Sequence, residues 1–195
     1  MKKKILNLDK ELLTYIIGVT LGDGNLSNPN NRAVRLRITC DIKYPFLISK
    51  IKKSLEKLLP SNKVSIVTRP ENYIDLNCYS NKLPKLLGWQ PNKGSKFKQA
   101  VHIPSWIKKN KNYTINCLRG LLETDGCVYN DRGYKMVVFA TIIPKLAHDI
   151  YNSIVYLNFT PNIYKLNRKN KHIMYRIRLS KNVSEFLDLI KPEKI

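Results

Sequence analysis

Tyr15-Ile-Ile-Gly-Val-Thr-Leu-Gly-Asp-Gly24 and Cys117-Leu-Arg-Gly-Leu-Leu-Glu-Thr-Asp-Gly126 are two versions of one pattern. Each has an apolar run, an internal glycine (Gly18, Gly120) and a closing Asp-Gly. Leu12, Leu13, Ile16, Ile17, Val19 and Leu21 predict a helix that is apolar on more than one face, with Asp9 as its N-cap. Thr114 to Thr124 is its counterpart. A duplicated segment implies a duplicated fold unit.

The surrounding sequence repeats in the same order. Asn28-Pro-Asn-Asn31 is a turn, and Arg32 to Cys40 alternates as a strand. Phe46 to Leu59 has helical apolar spacing. Lys63 to Arg69 and Tyr73 to Tyr79 read as a hairpin, and Lys82 to Leu87 as a short helix. In the second half the turn is Tyr129 to Gly133, followed by a strand over Tyr134 to Thr141 and a helix over Pro144 to Leu157. Ile163 to Leu166 and Ile173 to Leu179 form the second hairpin, and Val183 to Ile190 a closing helix. The landmarks stay in phase: Asp23 and Asp125 are 102 residues apart, Pro45 and Pro144 99, Ser80 and Ser180 100. The expected fold is therefore α+β, with two pseudo-symmetric αββαββα units. Residues 1–88 form the N-terminal half, 89–112 a basic linker anchored by Trp89, Phe97 and Trp106, and 113–195 the C-terminal half.

Thirty-five Lys and Arg stand against 14 Asp and Glu, a formal net charge of +21 on 195 residues. Such a charge destabilises the compact state by self-repulsion and attracts polyanions. No basic amphipathic anchor points to a membrane surface instead. The run from Tyr15 to Leu21 is too short to span a bilayer, and Asp9-Lys10-Glu11 interrupts any signal-like core after Met1-Lys-Lys-Lys4. Cys40, Cys78, Cys117 and Cys127 form no CxxC pair and match no His spacing, so reduced core thiols are expected rather than zinc. These features fit a soluble intracellular protein.

The repeated acid is harder to explain by packing. A carboxylate at a helix C-terminus meets the negative end of the macrodipole, at about 0.3–1 kcal/mol. Asp-Gly is often only a helix stop, with glycine taking the left-handed conformation, and one copy would mean no more than that. Two equivalent copies need another reason. Gly18, Gly22 and Gly120 each weaken a helix by about 0.5–1 kcal/mol, yet they would let the two helices approach closely. Paired helices would bring Asp23 and Asp125 together. Neighbouring carboxylates raise each other's pKa unless a cation neutralises them, and a hard divalent ion such as Mg²⁺ suits oxygen ligands.

Ile16-Ile-Gly-Val-Thr-Leu-Gly-Asp-Gly24 and Leu118-Arg-Gly-Leu-Leu-Glu-Thr-Asp-Gly126 resemble the two motifs of single-chain LAGLIDADG homing endonucleases, and the resemblance spans essentially the whole chain. Two departures stand out. Leu21 replaces the usual acid at the sixth motif position, where the second copy has Glu123, and Thr124 replaces a small residue. The resemblance implies motif helices packed at the centre of a DNA-binding saddle of antiparallel sheets. It also implies a double-strand DNA endonuclease cutting across the minor groove, one strand per active site. Asp23 and Asp125 would bind metal, with carbonyls of Gly22 and Thr124 as further ligands. Mg²⁺ would serve, with Mn²⁺ substituting. Lys98 or Lys96 in the linker, and Lys43 after the long strand, would assist catalysis. The protein would act as a monomer, without an obligate protein partner, on a long asymmetric site.

Alternation places Arg35, Arg37 and Thr39 on one strand face, fit for base edges in a major groove. Arg69, Tyr73, Asp75 and Asn77 offer similar chemistry, as do Lys165, Asn167, Arg168, Arg176 and Arg178 in the second half. If each half follows one helical turn, the site is about 20 bp long. An RNA-binding intron maturase on the same fold is the main rival, because charge does not separate two polyanions; a transcription factor is another. The acid pair favours cleavage over both. His102, His148 and His172 have no nuclease-like spacing, and Gly94-Ser-Lys96 lacks the upstream glycine of a phosphate loop. Met1 is not a splicing nucleophile, which argues against an intein.

Overall fold

The computed structural model describes residues 9–169 and 171–193; the Met1–Lys4 reading lies outside them. The first unit comprises helix α1 (Lys10–Asp23), strands β1 (Gly24–Ser27) and β2 (Arg35–Asp41), helix α2 (Pro45–Leu58), strands β3 (Val64–Thr68) and β4 (Tyr73–Tyr79), and helix α3 (Leu83–Leu87). After a short helix α4 (Ser105–Lys108), the order repeats as α5 (Lys111–Thr124), β5 (Gly126–Asp131), β6 (Tyr134–Thr141), α6 (Pro144–Tyr156), β7 (Asn162–Leu166), β8 (Met174–Leu179) and α7 (Val183–Ile190). The two antiparallel sheets have the same strand order, β1-β2-β4-β3 and β5-β6-β8-β7. The α+β fold of two matched units expected from the sequence is the observed one.

Every residue of α1 from Leu13 to Leu21 is buried, which is why its sequence shows no polar stripe. Its start is fixed by Asp9, whose carboxylate accepts from the Leu12 amide at 3.0 Å. Each sheet turns one face inward. Leu36, Ile38, Leu76 and Cys78 line the inner face of the first, and Val137, Phe139, Ile177 and Leu179 that of the second. Helices α2 and α6 cover these faces with Leu47, Ile51 and Leu55, and with Leu146, Ile150 and Ile154. The other face of each sheet is left open.

Three local readings need correction. The first strand of each unit, β1 and β5, starts directly at the glycine of the motif, and neither stretch alternates clearly enough to announce itself. The second turn is correspondingly shorter, only Arg132 and Gly133 between β5 and β6. Finally, Gly24 is not left-handed: its φ is −76° and its ψ 141°, and Gly126 has no positive φ either. Space, not backbone freedom, requires these glycines. A Cβ would come within 2.6 Å of the Thr20 backbone at Gly24 and of the Leu122 backbone at Gly126.

The connection between the sheets is pinned down. Trp89, Val101, Ile103 and Ile107 are buried, and Phe97 stacks on His172 at 4.0 Å. Buried Asp149 of α6 accepts from the Ile103 amide at 3.0 Å and from Lys108 at 2.5 Å. Trp106, by contrast, is exposed and meets Tyr113 edge-on. None of the four cysteines forms a disulfide. Burial raises the Cys78 thiol to about 11 and pushes Cys117 higher still. Cys127 is not a core thiol, since it is exposed on the open face of the second sheet.

Candidate active site and nucleic-acid interface

The site follows from how closely α1 and α5 cross. A Cβ on Gly120 would fall 2.6 Å from the Val19 amide nitrogen and 3.0 Å from the Gly18 carbonyl carbon. One turn on, a Cβ on Gly22 would come within 2.7 Å of the Thr124 Cβ and 3.4 Å of the Asp125 carboxyl carbon. Contact therefore runs to the ends of both helices. Asp23 is the last residue of α1 and Asp125 caps α5, and both are exposed. The two acids meet at one place on the surface, where neither helix alone could set them.

A lysine completes this centre. The Lys96 ammonium reaches the C-terminal end of α1 and donates to the carbonyls of Thr20 (3.3 Å), Leu21 (2.7 Å) and Gly22. The Thr20 carbonyl also accepts from the Gly24 amide, whereas those of Leu21 and Gly22 belong to the last turn, whose carbonyls a helix leaves without an intrahelical partner. Burial lowers the Lys96 pKa from its ordinary value, and the nearby charges of Asp125 and Asp23 act in the opposite direction. Of the two linker lysines weighed in the sequence, Lys96 is thus the one beside the acids. Lys98 is exposed, with its side chain against Gly94.

Lys43 lies across a cavity of about 290 Å³ that Asp23, Thr39, Tyr73 and Thr124 also line. It pairs with Asp41 at 3.2 Å, a contact that raises its pKa. Glu123, two residues before Asp125, is fully buried. It accepts from the Tyr15 hydroxyl at 2.7 Å, the Glu193 amide at 2.8 Å and Lys50 at 2.9 Å. Burial, and then the Glu123 charge, push the Tyr15 phenol far above its ordinary pKa. Glu123 is therefore a bolt between the helices. Nothing in the sequence distinguishes Lys50, the first of four lysines on α2, from Lys52, Lys53 and Lys57.

A hard cation fits this donor set. The Asp23 and Asp125 carboxylates and the backbone carbonyls are all oxygen ligands, and an ammonium already sits among the carbonyls. Among the described residues, no three His, Cys, Asp or Glu side chains cluster as metal ligands, so side-chain coordination would rest on the two aspartates.

On the open face of the first sheet, Arg37 stands opposite Asn77, Thr39 opposite Asp75 and Arg35 opposite Tyr79. Asp75 accepts from Thr39 at 2.7 Å and from Arg69 Nε at 2.6 Å. Burial raises the Asp75 carboxyl, but the Thr39 and Arg69 hydrogen bonds outweigh it and hold it below the usual carboxylate value. Arg35 donates to Ser27 at 3.1 Å, and Tyr73 is exposed at the end of β4. In the second sheet Arg176 and Arg178 share the open face, opposite Ala140 and Val138. Lys165 does not join them: it pairs with inward-facing Tyr175 and holds its ammonium over that ring. Asn167 lies just past β7, and Arg168 turns back to the His172 carbonyl.

Residues 112–191 match the family model described as a LAGLIDADG-like domain. No curated protein matches the chain. Among solved structures, that of I-DmoI in complex with DNA and Mn has a TM-score of 0.70 at 18% identity, over 93% of this chain and 96% of that one. An I-DmoI variant in complex with its target DNA in the presence of Mg gives 0.69 at 18%, over 93% and 96%. The N-terminal LAGLIDADG domain of DUF199/WhiA gives 0.62 at 16%, over 93% and 82%. No helix among the described residues is long and apolar enough to cross a membrane. With the same unit in each half, the chain has the two-unit LAGLIDADG fold, and its residues 112–191 match the model of a LAGLIDADG-like domain.

Proposed function

We propose that the chain is a metal-dependent, site-specific double-strand DNA endonuclease that cuts across the minor groove with one active site per strand. The observation that carries this reading is the meeting of Asp23 and Asp125 at the ends of two helices in glycine-mediated contact. The homing endonuclease I-DmoI, whose fold it shares, is described with DNA and with Mn or Mg.

Asp23 and Asp125, with the carbonyls of Gly22 and Thr124, would hold Mg²⁺ or Mn²⁺. The bound ion supplies Lewis-acid stabilisation and a more acidic water. The protein does the rest. Lys96 offsets the charge of both acids while its three N–H donors are held by the α1 carbonyls, and Lys43 offers a second cation from across the cavity; Lys98 is the lesser candidate. Arg35, Arg37, Thr39, Arg69, Tyr73 and Asn77 would read one half-site, with Arg176 and Arg178 reading the other. Lys165, Asn167 and Arg168 suit phosphate contacts at the edge. Both units lie in one chain, so the protein works as a monomer on an asymmetric site about two helical turns long.

The same fold also serves a second reading, an RNA-binding splicing protein or a transcription factor that binds without cutting, and the fold is shared beyond I-DmoI with the LAGLIDADG domain of DUF199/WhiA. Such a protein would need the basic faces but not the acids. The test is incubation of a randomised duplex library with the full chain, with and without Mg²⁺. Metal-dependent cleavage at one preferred sequence supports the endonuclease; retention without cleavage supports a binding protein.

A further inference from the structure

The two open faces occupy equivalent places but differ in chemistry. Gly24 pairs with Ile38 in the first sheet and Gly126 with Phe139 in the second, which sets the correspondence residue by residue. Asn25 and Ser27 of β1 correspond to Cys127 and Tyr129 of β5. Arg35, Arg37 and Thr39 of β2 correspond to Met136, Val138 and Ala140 of β6. On the strand beside them the exchange is reversed, with Asp75 and Asn77 matched by Arg176 and Arg178. The first sheet thus carries its arginines on β2. The second carries them on β8 and presents a largely apolar β5–β6 ribbon, whose Asp131, at the turn end, meets Arg178 at 3.7 Å. A depression of about 490 Å³ lies there, floored by Tyr129, Val138, Ala140, Tyr164 and Leu166 and bordered by the two arginines.

An exposed apolar patch on a chain of charge +21 calls for a partner. A G·C pair offers only donors and acceptors in the major groove, which Val138 and Ala140 would desolvate without replacing. An A·T pair adds the thymine methyl, an apolar feature that such side chains contact well. The arginines beside them are donors suited to guanine O6 and N7. Among the described residues, the buried Arg178 Nε–H on one face finds no acceptor and the buried Asn77 Oδ1 on the other no donor.

Resting on the endonuclease reading, we infer that the β5–β6 ribbon reads thymine methyl groups. The half-site under the second sheet is then A·T-rich, with guanine confined to positions opposite Arg176 and Arg178. The half-site under the first sheet is read by hydrogen bonds to base edges.

The test starts from the duplex that the full chain prefers in a randomised pool. Val138→Gln and Arg37→Gln orient it, because each changes preference in its own half only. Thymine is then replaced by uracil, which removes the methyl and leaves every hydrogen bond in place. Binding should weaken about fourfold for each methyl removed under the β5–β6 ribbon and stay unchanged for replacements in the other half. Because the wild-type chain is used, misfolding of a variant cannot mimic the result. A preferred duplex whose second half is G·C-rich, or is indifferent to uracil, overturns the inference and leaves the endonuclease reading intact. If no preferred duplex emerges, that reading fails and the inference fails with it.

Discussion

Gly18 of α1 lies directly on the Cys117 peptide of α5: a Cβ there would overlap the carbonyl oxygen and approach its carbon to 2.9 Å. The two motif helices therefore touch backbone to backbone. That closeness lets both terminal aspartates share one centre.

Gly18→Ala and Gly120→Ala should each strain this crossing. The obstacle is main chain, which cannot rotate away as a side chain can, so the loss should reach at least the ~1–3 kcal/mol typical of overpacking. Thermal unfolding measures it. An alanine variant as stable as wild type would mean the helices are not in backbone contact.

Asp23→Asn and Asp125→Asn should each abolish cleavage of at least one strand while DNA binding remains. Both side chains are exposed, so neither variant should fold poorly. Nicking assays with labelled strands, read beside gel shifts, separate the two effects. Undiminished double-strand cutting by either variant would remove these acids from the site.

Lys50→Met should destabilise the fold by about 3 kcal/mol, the lower end for breaking a buried pair. Glu123 is fully buried but keeps its bonds from Tyr15 and Glu193. For a chain of this size that means a Tm lower by about 6–12 °C. Adding Glu123→Leu should recover much of the loss, because the remaining charge is then gone.

Asp75 links stability to pH. Its folded pKa is depressed, so its contribution is complete above the ordinary carboxylate value of about 3.9 and disappears as pH falls through the folded value. Asp75→Asn should lower Tm at neutral pH and flatten the decline below about pH 4. A parallel downward shift at every pH would contradict this linkage.

DNA binding should fall steeply with salt. With roughly 6–10 phosphates neutralised, affinity drops about 10³–10⁵-fold between 50 and 200 mM. A nearly flat dependence, measured by fluorescence anisotropy, would show that the basic surface is not used on nucleic acid.

The duplication, the paired acids and the polyanion-seeking charge could be read from residue order, because repeated motifs and net charge survive without coordinates. Alternation also placed Arg35, Arg37 and Thr39 correctly away from the core, since strand period fixes side. Tertiary structure decided matters of reach and facing. Lys96 and Lys98 are two residues apart and chemically equal, yet only the course of the linker carries Lys96 to the α1 carbonyls. Lys165 looks like a partner for Arg176, but β7 pairs it with Tyr175 and so turns it the other way. The two open faces became comparable only once the strand registers were known. Local sequence sets which element forms and which side it buries; which long side chain meets which distant backbone depends on contacts closed over tens of residues.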